Sequence, residues 1–342
     1  MSGKKREKWV DFAKCIAIFI VMLNHSGIVV PAVSFFGGMF YVPIFFLISG
    51  FTYRTKEESF PHFVKRKAKR LLLPYITANM LLFAFFFCKE TILEGGSKAA
   101  FLRLFGILYG RNQLFAQTTQ TLFLPQPEQN LYLMTCLNSP TWFLPALFLT
   151  IVLFEMLMRL TDKNGRKMWL VSSILLFLAI LYHNLFPVLL PWSLDAVPLF
   201  LQLFMWGYFI RRKAVLYYLD QKKWLVGVIA GCFLLTAWMN GSANFSVADY
   251  GTSMMLALFN ALASSVLVFY FCFKIRRHIP AALAWIGRQT LPLLCYHLFV
   301  FSIFQTVLSK APAEVHLLLT IVTMTLLCYG KEKLWHAKRQ RT

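Results

Sequence analysis

Apolar residues along the 342-residue chain gather into stretches of roughly twenty, separated by short segments rich in Lys, Arg, Gly and Pro. A stretch of about twenty apolar residues is long enough to cross a bilayer core of about 30 Å as a helix. Inside lipid a single segment satisfies its backbone hydrogen bonds only by being helical. Ten such spans can be drawn, at approximately 9–30, 34–53, 71–88, 141–160, 168–187, 195–211, 224–240, 250–273, 289–309 and 313–330. The pattern therefore predicts an all-α integral membrane protein of about ten transmembrane helices. No internal repeat or second domain is visible, so residues 1–342 read as one polytopic membrane domain.

Composition agrees with that reading. Apolar residues make up 58% of the chain and charged residues 14%, too few charges to clothe the helices of a soluble bundle this size. The net charge of +21 raises the question of nucleic acid, but the cations lie in short clusters between the apolar stretches. They are KKREK near the start, KRKAKR at 65–70, RRK at 211–213, KIRR at 274–277 and KRQR near the end. No continuous basic face or nucleic-acid-binding module is present, so no nucleic-acid partner is expected. With the N-terminus inside, both termini are cytoplasmic and about thirty of the 35 Lys and Arg fall on that side. Lys89, Lys98, Arg103, Arg111 and Lys310 remain outside, mostly in the long connection 89–140, which has room for an interfacial or re-entrant segment.

The first stretch has the basic flank of a signal peptide. Asp11, Lys14, Asn24 and His25 interrupt it, however, and no small-residue cleavage site follows, so it reads as a retained helix. The seven cysteines show no C-x-x-C spacing, and neither a metal site nor a disulfide framework is supported. Cys88 and Cys136 flank the long loop, and whether they pair is left open.

Ionisable residues inside membrane spans are costly and each needs a reason. Asp11 and Lys14 are three apart and meet on one helix face. Lys14 and His25 are eleven apart, three full turns, and share a stripe roughly 16 Å apart along the axis. The stripe suits catalysis, and it equally suits an interfacial anchor below a histidine hydrogen-bonded to a neighbouring helix.

A resemblance narrows the choice. VDFAKCIAIFIVMLNHSG (10–27) resembles the first helix of membrane acyltransferase family 3, in particular its fucose 4-O-acetylase-like branch, where a basic residue precedes a His by this spacing. YVPIFFLISGFTYR (41–54) and KRKAKRLLLPY (65–75) resemble the next blocks, followed by FGILYG (105–110) and TWFLPALF (141–148). PWSLDAVPLFLQLFMWGYFIRR (191–212) and IGRQTLPLLCYHLF (286–299) match the later ones, so the resemblance runs in order over most of the chain. Three departures are visible. Asn24 stands where the branch often has Gly, Tyr41-Val42-Pro43 where it often reads His-Met-Pro, and Lys14 where the wider family commonly has Arg.

The resemblance implies acyl transfer from acetyl-CoA, bound from the cytoplasm, to a carbohydrate hydroxyl of the cell envelope, in the bacterial inner membrane. Under it His25 acts as general base on the acceptor hydroxyl, or as a transient acyl carrier. Asp11 orients or charge-balances Lys14, and Lys14, Arg66 and Arg70 are the candidates for holding the phosphates of the coenzyme A thioester. Ser49 lies where small residues permit close helix packing or passage of the cofactor. Asn24 and Tyr41 are placed near the acceptor.

Trp142 is a candidate sugar-stacking platform or an aromatic interface anchor. Asp195 either faces the acceptor or caps its helix, Glu155 is either buried and paired or near the cytoplasmic end, and His297 reads as a satisfied structural histidine. A proton-coupled transporter or flippase of a lipid-linked sugar is the alternative from another class, and a non-catalytic assembly partner is a third. The acceptor sugar, acetyl against succinyl donor, and the oligomeric state, a homo-oligomer included, are left open.

Overall fold

The computed structural model describes residues 7–93, 98–116 and 138–339. Cys136 lies outside them, and with it the question of its pairing with Cys88. The described residues form helices joined by short turns, with isolated β-bridges at Phe115–Val188 and Asn244–Asp249.

In chain order these are α1 (Lys8–Asn24), α2 (Pro31–Phe36), α3 (Pro43–Phe51), α4 (Phe60–Leu93) and α5 (Lys98–Tyr109). Then come α6 (Phe143–Leu160), α7 (Gly165–Leu185), α8 (Val197–Arg212), α9 (Val215–Gln221) and α10 (Lys223–Asn240). The last four are α11 (Met254–Lys274), α12 (Ala281–Arg288), α13 (Thr290–Val307) and α14 (Ala313–Arg339). Among the described residues eight helices are long and apolar enough to cross a membrane, or nine if the segments 31–39 and 43–51, bent by 43°, form one broken span.

The difference from ten lies at the start of the chain. α1 has 17 residues and stops at Asn24 instead of running on to 30; at a rise of 1.5 Å per residue it is about 25 Å long, the short end for a membrane span. The second predicted span breaks because Pro43 has no N–H with which to continue a helix from residue 39, and it instead opens α3. α4 is longer than predicted, since the basic run 65–70 is itself helical and carries the helix outward from 71. The apolar stretch at 101–109 is α5, which packs on α4 and on the turn at Pro191–Ser193.

Burial sorts the helices into two shells. In the span carrying α8, 72% of the apolar window is buried, and 67% in that carrying α6, against 11% for α10 and 22% for α7 and α14. The outer helices therefore show their Leu, Val and Phe side chains to what would be lipid, while α1, α3, α6, α8 and α11 make the centre. There Phe46 stacks face to face on Phe200 at 4.2 Å, and Trp9 sits among Phe51, Phe269 and Phe273.

The tightest crossing is α3 on α8. A Cβ on Gly50 would lie 1.9 Å from the Phe204 carbonyl oxygen, and one on Gly207 would lie 1.9 Å from that of Leu47. Only hydrogen fits at either place, so the two helices approach backbone to backbone. Gly207→Leu is expected to prevent folding, seen as loss of the monodisperse detergent-solubilised peak. Gly227→Leu, on α10 with nothing within 4 Å of a Cβ, is the control that should behave as wild type. A Gly207→Leu protein with an unchanged profile would show that the crossing can open at little cost.

Candidate functional site

His25 closes the C-terminal end of α1, its backbone N–H bonded to Val21 O at 3.2 Å. The ring looks into a cavity of about 280 Å³, at the small end of pockets for small molecules. Asn24, Tyr41, Phe45, Trp142 and Phe143 line it, together with the polar residues Asn112, Gln113, Ser139, Asn244 and Ser246. The break between α2 and α3 has a direct consequence here, since it brings Tyr41 onto the wall, where the Asn24 Nδ2–H donates to its Oη at 3.4 Å. Trp142 is 3% exposed and packs against Phe200, so its ring belongs to the interior and the cavity.

Two amides lining the cavity share a pattern. Asn112 donates through Nδ2 to Ser139 Oγ at 3.2 Å, and Gln113 through Nε2 to Val247 O at 3.5 Å. Their amide oxygens, Asn112 Oδ1 and Gln113 Oε1, are buried and have no hydrogen-bond partner among the described residues. A buried acceptor left unpaired costs about 1–3 kcal/mol. Two such oxygens beside one cavity are accordingly suited to a ligand that brings hydroxyl donors.

Arg111 holds that wall in place. Its guanidinium is fully buried and donates to both oxygens of Asp195, at 2.5 and 2.6 Å, and also to Leu190 O at 3.3 Å and Ser246 O at 3.2 Å. Asp195 in turn accepts from the Leu190 N–H at 3.1 Å. One ion pair thus ties together the segment that carries Asn112 and Gln113, the approach to α8, and the turn that carries Ser246. Asp195 is not itself on the cavity wall. Neither the sugar-facing nor the capping arrangement considered from the sequence describes it; it is the anchor of Arg111.

At the other end of α1, Lys14 Nζ lies 3.3 Å from Asp11 Oδ1. Asp11 is buried where α12 crosses α1, so closely that a Cβ on Gly287 would lie 1.7 Å from the Asp11 carbonyl oxygen. Arg66 is engaged by Glu58 and lies over the Phe63 ring. That hydrogen bond holds the Glu58 carboxyl below its ordinary range. Glu155 is buried and paired, accepting from Tyr53 Oη and from Arg159 Nε. Arg70 is exposed and Ser49 half-buried. None of Asp11, Lys14, Ser49, Arg66 and Arg70 lines the His25 cavity.

A second cavity, of about 330 Å³, opens at this end between Tyr53, Arg54, Thr55, Tyr208, Arg211 and Arg212. Arg211 donates to Phe51 O at 3.2 Å and lies over the Phe51 ring, and Arg212 lies over Tyr208. Among the described residues none of its three guanidinium groups is paired with a carboxylate. Trp9 touches Phe51 as well, which places this cavity beside the start of α1. His25 is sixteen residues further on, about 24 Å along the helix.

The structure therefore gathers His25, Asn24, Tyr41 and Trp142 at one cavity and leaves the basic candidates at the other end of the molecule. Asn112, Gln113, Asn244, Ser246 and Arg111 were not singled out by sequence. They stand in connections between spans, where polar residues are ordinary; the one available signal was that Arg111, Asn112 and Gln113 directly follow the FGILYG block. Among the described residues no three His, Cys, Asp or Glu side chains gather as a metal site.

Comparison with known proteins adds a family. No curated protein and no solved structure matches the chain. The family model Acyl_transf_3, described as an acyltransferase domain, matches residues 7–331. That span runs from the start of α1 into α14 and takes in both cavities, so this membrane protein belongs to acyltransferase family 3.

Proposed function

We propose that the protein transfers an acetyl group from acetyl-CoA to a hydroxyl of a cell-envelope carbohydrate, as the fucose 4-O-acetylase-like branch does. It would lie in the bacterial inner membrane with both termini cytoplasmic. The observation that carries the proposal is the cavity itself, which sets an imidazole beside buried amide oxygens that lack donors and beside Tyr41 and Trp142. Hydroxyls of a sugar supply those donors, and an aromatic face suits the apolar face of a sugar ring. Family membership weighs against the carrier reading.

In the reaction a His25 ring nitrogen takes the proton of the acceptor hydroxyl as its oxygen attacks the thioester carbonyl. The new C–O bond forms, the C–S bond breaks, and the proton held on His25 passes to the departing thiolate. Asn24 and Tyr41 orient the acceptor. The donor's phosphates are held at the other end of α1 by Arg54, Arg211 and Arg212, whose guanidinium groups surround a cavity with no carboxylate partner among the described residues. Lys14 lies between the arginine cavity and His25 along α1, where it would help hold the donor, with Asp11 as its charge partner.

The test is transfer from labelled acetyl-CoA by purified protein to a panel of sugars, with thiol release followed in parallel. A donor site at the arginines predicts a further result. Arg211→Ala and Arg212→Ala should each raise KM for acetyl-CoA by roughly tenfold, the loss of one charge-assisted contact, and leave KM for S-acetylpantetheine, which lacks the nucleotide, unchanged. An equal rise for both donors would remove the arginines from phosphate binding.

A further inference from the structure

His297 was expected to be a satisfied structural histidine, and only half of it is. It stands on α13, 2% exposed, one turn from Leu294 of the cavity wall. Its Nδ1 lies 2.8 Å from the carbonyl oxygen of Leu293. A carbonyl can only accept, so Nδ1 carries the hydrogen, and in the neutral ring Nε2 is left as an acceptor. Nε2 is buried with no hydrogen-bond partner among the described residues. The ring beside it is that of His25, with the centroids 5.9 Å apart and the planes inclined at 47°.

A buried acceptor next to a ring that always carries at least one N–H is the arrangement by which one group sets another's tautomer. We infer that His297 is the positioning residue of His25: its Nε2 accepts the N–H of one His25 nitrogen through one water, and so leaves the lone pair of the other nitrogen facing the acceptor hydroxyl. The Leu293 carbonyl is the first link, fixing His297 in its turn. The chain of contacts Leu293 O, His297, His25 does with a neutral imidazole what a carboxylate does in a triad. Its neutrality suits the place, since a buried unpaired carboxylate would be far more costly here. When His25 takes the acceptor's proton, Nε2 of His297 stabilises the imidazolium that forms.

This inference rests on His25 being the base, and the experiment separates the two. Transfer from acetyl-CoA is measured for wild type, His25→Ala, His297→Leu and His297→Gln, with the acceptor found in the panel above. Leu removes the acceptor atom and keeps the site apolar, whereas Gln can bring Oε1 near the place of Nε2. His297→Leu is expected to lower kcat about 10–100-fold, the usual cost of losing an orienting partner, with KM for donor and acceptor unchanged, and His297→Gln to recover most of it. Wild-type kcat in His297→Leu, or an equal loss in both variants accompanied by raised KM, overturns the inference while leaving His25 as base. Activity retained by His25→Ala overturns the underlying reading instead.

Should His297→Leu fail to fold, the 15N resonances of labelled histidine in the wild-type protein decide the matter. A single His25 tautomer in wild type that is retained in His297→Gln, where Oε1 replaces the acceptor, supports the inference, and its loss there counts against it. A tautomer mixture in wild type sinks it.

Discussion

His25→Ala is expected to abolish acyl transfer while leaving the protein folded and able to bind acetyl-CoA. The ring lines a cavity and is half-buried, so its removal chiefly enlarges that space. General base catalysis contributes about 10²–10⁴-fold, and turnover should fall by at least that factor with donor affinity within twofold of wild type. Affinity stays because the arginine cavity is at the opposite end of α1. Turnover within tenfold of wild type would take the base away from His25. A single-turnover experiment without acceptor completes the case. If His25 acts only as a base, no labelled acetyl group stays on the denatured wild-type protein; label that stays, and is absent from His25→Ala, would establish the acyl-histidine route.

The second large effect is expected at Arg111. Its guanidinium is fully buried against Asp195, and removing one partner of a buried ion pair costs about 3–5 kcal/mol, because the other charge is stranded. Arg111→Met should therefore lower the thermal midpoint of the detergent-solubilised protein clearly. It should also destroy activity in what remains folded, since Arg111 positions the segments that carry Asn112, Gln113 and Ser246. The double substitution Arg111→Met, Asp195→Leu strands no charge and should regain much of the midpoint without regaining activity. If Arg111→Met melts with wild type, the pair is not holding the wall. If the double variant is active, the wall does not need it.

Much of the membrane fold was legible because lipid makes two demands that show in any sequence. Spans must be apolar and about twenty residues long, and their backbones must close their own hydrogen bonds. From these the positions of α4, α6, α7, α8, α10, α11, α13 and α14 follow to within a few residues at most ends. The start of α4 and the end of α14 are where the pattern fell short, since their basic segments are apolar in neither case and helical in both. The same demand marks His25, because an ionisable side chain at depth stands out against its neighbours. Asn24 and Tyr41 were reached through departures from a family pattern, and both line the cavity.

What sequence alone determined, then, is the class of the fold and, as candidates, several residues that line one cavity, the parts governed by interactions local to a span. Tertiary structure alone decided the rest. That Gly207 and Gly50 face each other depends on how α3 crosses α8, and periodicity carries no crossing geometry. Asn112, Gln113 and Ser246 meet because Arg111 and Asp195, 84 residues apart, form one pair. Three guanidinium groups share a cavity because α3 and α8 end side by side. His297 changed meaning most, from a satisfied structural histidine to one whose Nε2 stands without a partner beside His25. A histidine's hydrogen-bond needs are written in its own chemistry, but whether they are met depends on atoms 272 positions away along the chain, and only the folded packing brings those atoms near.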